Sequence, residues 1–352
     1  MVMNKNRINL IFLGIIIPIF ILGLSSCQPA AQQTTDAITE TVLPLDSTAS
    51  PTVEETVNTP EETPQVILGY SPDVETTVVS QIQTALEFLV NENGLSLEIV
   101  EGLTPGRITT NTRVVVGVGS GLDLNGLAQT NPNVQFIAIE DISALPADNL
   151  SVVGSSADPL RLAFMAGYLA ALISEDYKVS ALVPGGGEES DLILEAFING
   201  ARFYCGICQP KYPPYNTFPS WETLTVENTN SNYQSTVDAL AAIGTEVVYL
   251  HGSLQSTELL AYLNSLGMKV ISDQHPETPL TGNWVGTLSL DPVPAFKNLW
   301  LDVLAGSGGH QVSASIVLME SENGLVTEGR YRLFEEMIME LETGQISIES
   351  AP

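Results

Sequence analysis

Several residue groups in this sequence carry types and spacings that could do chemistry. Cys205-Gly-Ile-Cys208 has the spacing of a thiol–disulfide site. That chemistry needs its first cysteine at a helix N-terminus, where the backbone dipole favours thiolate. The periodic run from Asp191 to Tyr204 ends just before Cys205, which puts the pair at the opposite end. A local structural disulfide is therefore expected, with redox catalysis as the alternative. The run Gly117-Val-Gly119-Ser120-Gly121-Leu122 approaches a dinucleotide fingerprint, but Leu122 stands where the third glycine is required. No phosphate loop of the form Gly-x-x-x-x-Gly-Lys and no Gly-x-Ser-x-Gly elbow occurs, so no cofactor is expected. His251, His275 and His310 show no metal-ligand spacing, and no metal is expected. Glu140-Asp141 could act as an acid pair, although carboxylates adjacent in sequence seldom face one substrate. No nucleophile–base set is present, so the chain reads as a binder and not an enzyme.

The third cysteine has a different setting. Lys5 and Arg7 precede a mostly apolar run from Ile8 to Leu24 that contains Pro18. The run is shorter than the ~20 residues of a spanning helix and has the layout of a signal peptide. It ends in Leu24-Ser25-Ser26-Cys27, which resembles the lipobox of bacterial lipoproteins. That resemblance implies cleavage before Cys27, lipidation of its thiol, and an extracytoplasmic chain held at the cell membrane. Residues 28–64 are rich in Thr, Pro, Glu and Gln and hold neither Lys nor Arg. Their scattered apolar residues cannot offset the entropy of ordering, so an acidic, extended tether is expected.

The chain carries 41 Asp and Glu against 12 Lys and Arg, a formal charge of −29. A surface this acidic repels phosphate backbones and anionic headgroups, which excludes nucleic acid as an expected partner. It also discourages strongly anionic ligands.

The elements that must position these groups alternate. Apolar strand runs open at residues 65, 95, 112, 134, 150, 178, 222, 245, 268, 282 and 311, with helical spacing over 78–94, 159–174, 189–204, 232–244, 256–267, 293–306 and 328–340. In the helix 159–174, Gly167 is expected to allow close approach of a neighbour. Alternation of this kind predicts an α/β fold with parallel sheets flanked by helices. About 290 residues suit two lobes. We place 65–176 with 282–311 in the first lobe and 177–281 with 312–352 in the second, after a signal segment (1–27) and the tether (28–64). Ligands of such sheets bind beyond the carboxyl ends of the strands. The expected binding loops therefore hold Tyr70, Ser71 and Asp73, Gly119 and Ser120, Glu140 and Asp141, Gly186, His251 and Gly252, and Asp273.

An ordered series of motifs resembles the basic membrane protein family of substrate-binding lipoproteins. The stretches are "VVVGVGSGLDLNGLAQTNPNVQFIAIED", "PLRLAFMAGYLAALISEDYKVSALVPGGG", "AFINGARF" and "VISDQH". The resemblance implies a two-lobed, type-1 periplasmic-binding-protein-like fold with three crossings between lobes. It implies delivery of a small ligand, often a purine nucleoside, to an ABC permease. Asp273 falls on a family acid that contacts ribose, and Glu140 on a family Asp. The first loop departs from the family pattern, as does His251, which replaces an aromatic. Tyr70, His251 or Trp284 would then supply the surface that stacks on a base.

Overall fold

The computed structural model describes residues 63–141, 143–225, 233–277, 282–321 and 324–348. The lipobox with Cys27 and nearly all of the tether lie outside them. Val66, Ile67 and Leu68 of β1 (Gln65–Tyr70) are fully buried on both faces, as a parallel strand covered by helices must be. β1 lies between β2 (Ser96–Glu101) and β3 (Thr112–Val118). The first sheet continues in parallel through β4 (Gln135–Ile139) and β5 (Leu150–Val153) to the short β11 (Gln311–Val312). Helices α1 (Thr76–Glu92) and α7 (Val293–Leu304) cover one face. The seven-residue α2 (Leu124–Thr130) helps cover the other.

The second sheet places β6 (Val179–Pro184) between β7 (Ser220–Leu224) and β8 (Val247–Leu250). It continues through β9 (Lys269–Ser272) and β10 (Trp284–Asp291), all parallel, to the antiparallel β12 (Ser315–Met319). Helices α5 (Tyr233–Ala242) and α6 (Thr257–Ser265) pack on one face. On the other lie α3 (Asp158–Ile173), α4 (Glu188–Cys205) and α8 (Glu328–Glu342). Fourteen of the sixteen residues of α3 are buried, so it is a core helix wrapped on all sides. A Cβ on Gly167 would lie 2.0 Å from the Phe197 carbonyl oxygen, and one on Gly200 would lie 1.9 Å from that of Phe164. The two glycines thus let α3 and α4 touch backbone to backbone, as expected for Gly167.

The chain passes between the sheets three times: after β5 at Gly154–Ala157, after β10 at Asp291–Pro292, and between β11 and β12 at Ser313–Ala314. The α/β class, the parallel sheets and the three crossings agree with the expectation. The lobe assignments need correction in two places. α3 packs on the second sheet, so the first passage precedes residue 158 instead of following 176. β10 pairs with β9 and β12 in the second sheet, so 284–291 leave the first lobe. Both segments are apolar enough to be buried in either sheet, and burial alone does not say which. The strand expected over 311–318 is two strands in different sheets, broken where the chain crosses. The strand expected at 222–228 begins at Ser220, and its last residues lie outside the described ones. α2 was not expected. Asp123 starts it by accepting the Gly126 N–H at 3.2 Å, a side-chain N-cap.

Cys205 is the last residue of α4 and is bonded to Cys208, with Cα atoms 5.8 Å apart. Among the described residues, no helix is long and apolar enough to cross a membrane.

Candidate ligand-binding cleft

Loops from both sheets meet at a cavity of about 400 Å3. The first sheet supplies Ser71 and Asp73 to Glu75 after β1, Gly119 and Ser120 after β3, and Glu140 after β4. The second supplies Asp273, Gln274 and His275 after β9, with Thr287 to Leu290 from β10 as it runs toward the crossing. Gly119 shows why glycine follows β3. Its φ is +85°, and a Cβ there would lie 2.0 Å from Cγ2 of Val74. The glycine lets one binding loop seat directly on another. It serves packing between the two loops.

Glu140 is held in an unusual backbone state, with φ +56°. A left-handed conformation costs a residue with a Cβ roughly 1–2 kcal/mol, and such outliers gather at functional sites. Its N–H donates to Val153 O at 3.3 Å, which fixes the turn at the end of β4. The carboxylate has no hydrogen-bond partner among the described residues. Burial, and then repulsion from Glu75, raise its pKa above the ordinary carboxylate value. Ser71 is only 7% exposed and lines the cavity; its hydroxyl also lacks a partner among the described residues.

Asp273 is already engaged by the protein. It accepts the Tyr249 hydroxyl at 2.9 Å and the Gly252 N–H. Burial first, and then the Asp273 charge, push the Tyr249 phenol well up, so it stays a donor. A carboxylate offers about four lone-pair sites, so Asp273 can still accept from a ligand. His251 takes the Ser253 N–H on Nδ1 at 3.2 Å. The neutral ring therefore carries its proton on Nε2, which lies 3.8 Å from Asp273 Oδ2. His275 Nδ1 lies 3.1 Å from Glu320 Oε2 at the cavity edge.

The structure brings together six of the expected residues: Ser71, Asp73, Gly119, Ser120, Glu140 and Asp273. The acid pair is divided between sites. Asp141 faces a second, smaller cavity of about 220 Å3 at the crossings, which Glu140 also borders. There its Oδ1 accepts the Ser143 N–H at 3.0 Å and hydroxyl at 2.6 Å. Gly252 does not line the cleft but positions Asp273 through its N–H. Tyr70, Gly186 and His251 lie outside the lining. Trp284 needs outright correction. It begins β10, opposite Val270, and is 3% exposed in the core between the second sheet and α5 and α6. It offers no stacking surface. Gln274 and His275 line it too, in the loop expected to bind after β9, while Glu75, Thr287 and Ser289 line the cavity without having been expected. The length of β10, which carries hydroxyls at 287 and 289 up to the crossing, is the signal that could have found the last two.

No protein-family model matches the chain, and no curated protein matches it in sequence. Solved structures do. An ABC transporter solute-binding protein from Conexibacter woesei superposes with a TM-score of 0.55 at 15% identity, covering 81% of this chain and 98% of that one. A transcriptional activator of the comK gene from Bacillus halodurans gives 0.55 at 14%, covering 80% and 99%. AraP, an arabinose-binding protein from Geobacillus stearothermophilus, gives 0.52 at 11%, covering 73% and 97%. At such identities the likeness establishes the fold: two lobes of the type-1 periplasmic-binding-protein kind.

Proposed function

We propose that this chain is a lipid-anchored, extracytoplasmic solute-binding protein that holds a small polar solute between its lobes for an ABC permease. The observation that carries this reading is the cavity between the two sheets, walled by loops from both, with Ser71 and Glu140 unpartnered on it. Both groups are free to bond a ligand without first breaking a bond within the protein. The solute-binding fold, the lipobox at Cys27 and the acidic tether support the same role. Closure of the lobes would bend the three crossings, a hinge motion suited to this layout. The resemblance to the basic membrane protein family makes nucleosides the first ligand class to try. Ribose hydroxyls could donate to Asp73, Glu140 and Asp273, while His275 is the one flat ring on the lining. A receptor module that senses the same ligand without transport is the second reading. It draws on the likeness to a transcriptional activator.

The test is a thermal-shift screen of the full-length chain in detergent against nucleosides, bases, sugars and amino acids. Ligand at a hundred times its dissociation constant stabilises the folded state by about 2.7 kcal/mol, a shift of roughly 5 °C or more in a domain of this size. A shift with one class identifies the ligand family. An unchanged melting temperature with every class would overturn the reading.

A further inference from the structure

The proposed function leaves the charge of the solute open, and the cleft wall bears on it. Asp73, Glu75, Glu140 and Asp273 all line the cavity, and neither Lys nor Arg does. His275, the lining's one other titratable side chain, is already paired with Glu320. We infer that the cleft selects an organic cation, a small amine with an aliphatic body, over neutral and anionic solutes of similar size.

One observation beyond the acidic set points to a ligand. Ser71 is more than nine-tenths buried, yet its hydroxyl is unpartnered among the described residues and borders the cavity. It offers lone pairs to an ammonium group that the protein itself does not use. Beside it, the Glu140 carboxylate is open to solvent and free of protein partners among the described residues. An ammonium would satisfy both through charge-assisted hydrogen bonds, the stronger kind. The rest of the wall defines the body of the solute. Val74, Val78, Leu162, Leu288 and Leu290 border the same space, which suits methylene groups and not a fully hydroxylated ring. A bare metal ion fits less well, because no cluster of three or more His, Cys, Asp or Glu among the described residues is arranged to hold one.

This inference rests on the solute-binding reading, and its test separates the two. Calorimetry on the full-length chain in detergent would compare solutes matched in size and differing in charge. The sets are 1,4-diaminobutane, 1,4-butanediol and succinate; arginine and citrulline; and glucosamine, glucose and glucuronate. At least one amine should bind at least ten-fold more tightly than its neutral partner, and sodium chloride should weaken that binding. Glu140→Gln and Asp73→Asn should each weaken it at least five-fold, with melting curves showing both variants folded. Asp73 is exposed, so its variant keeps the test open if the first fails to fold. A neutral or anionic member that binds as tightly as its amine would overturn the charge inference and leave the solute-binding role standing. Binding of calcium ions in preference to every amine would overturn the organic part. Silence from every member would overturn the charge inference and leave the solute-binding role to the nucleosides of the thermal-shift screen.

Discussion

At the end of β4 a glutamate adopts φ +56°, where glycine would sit without strain. Replacing Glu140 by glycine should stabilise the free protein by about 1 kcal/mol through the backbone and weaken ligand binding, as chemical denaturation and calorimetry would show together. The side chain adds a pH signature. Its folded pKa lies above that of the unfolded chain, so the folded state holds this proton more tightly. The stability that proton contributes is fully present below the unfolded value and is lost as pH rises through the folded one. The melting temperature of the wild type minus that of Glu140→Gln should therefore increase between pH 7 and pH 4.5. Asp73, Glu75, Asp273 and His275 face the same cavity, and Asp141 and Asp158 face the adjoining one. All six are common to both proteins, so the difference isolates Glu140. A flat difference would show that the carboxylate is not strained by its surroundings. At this scale the sequence exposed the strand ends, which is why Ser71, Asp73, Glu140 and Asp273 were legible. It did not expose side-chain direction. Asp141 turns into a local hydrogen-bonded turn, and Trp284 is drawn into the core by its apolar surface.

Helices α3 and α4 depend on two glycines that face each other. Gly167→Ala and Gly200→Ala each place a methyl group within about 2 Å of a backbone oxygen on the other helix. Backbone cannot step aside as a flexible side chain can. Each substitution should cost about 2–3 kcal/mol by overpacking, read as a lower denaturant midpoint, although alanine favours an isolated helix over glycine. Equal stability of the variants and wild type would mean that the helices separate freely. Long elements of this kind were legible because apolar spacing over sixteen or more residues is unambiguous. α2 was not. Its seven residues hold Asn125 and Gly126, and only Leu124, Leu127 and Ala128 are buried. So short a helix draws its stability from packing and the Asp123 cap more than from its own propensity.

At the scale of the whole molecule, the alternation of strands and helices gave the class and the two sheets, but not the sheet to which each segment belongs. Parallel strands buried on both faces read alike wherever they sit, which is why 284–291 and α3 changed lobes. The passages between lobes are stitched by a buried ion pair. Arg161 Nη1 donates to Asp158 Oδ1 at 2.7 Å and to Ala314 O at 3.0 Å, while Asp158 Oδ2 accepts the Ser155 N–H at 2.8 Å. One pair thus joins the first and third crossings. Arg161→Ala strands a buried carboxylate and should cost about 3 kcal/mol, measurable by denaturant unfolding. A loss under about 1 kcal/mol would show that water reaches the pair.

A solute held between the lobes must be excluded when the cleft is filled. Ser120 is exposed, lines the cleft, and lies between two glycines that take the positive backbone angles of the loop. Ser120→Trp would therefore fill the cavity without disturbing a buried residue. The most direct measurement is calorimetric titration of wild type and Ser120→Trp with the tightest-binding solute from the screens. We predict one solute per wild-type chain and at least ten-fold weaker binding by the variant, with its melting temperature unchanged. Equal affinity in the two proteins would place the solute outside the cleft.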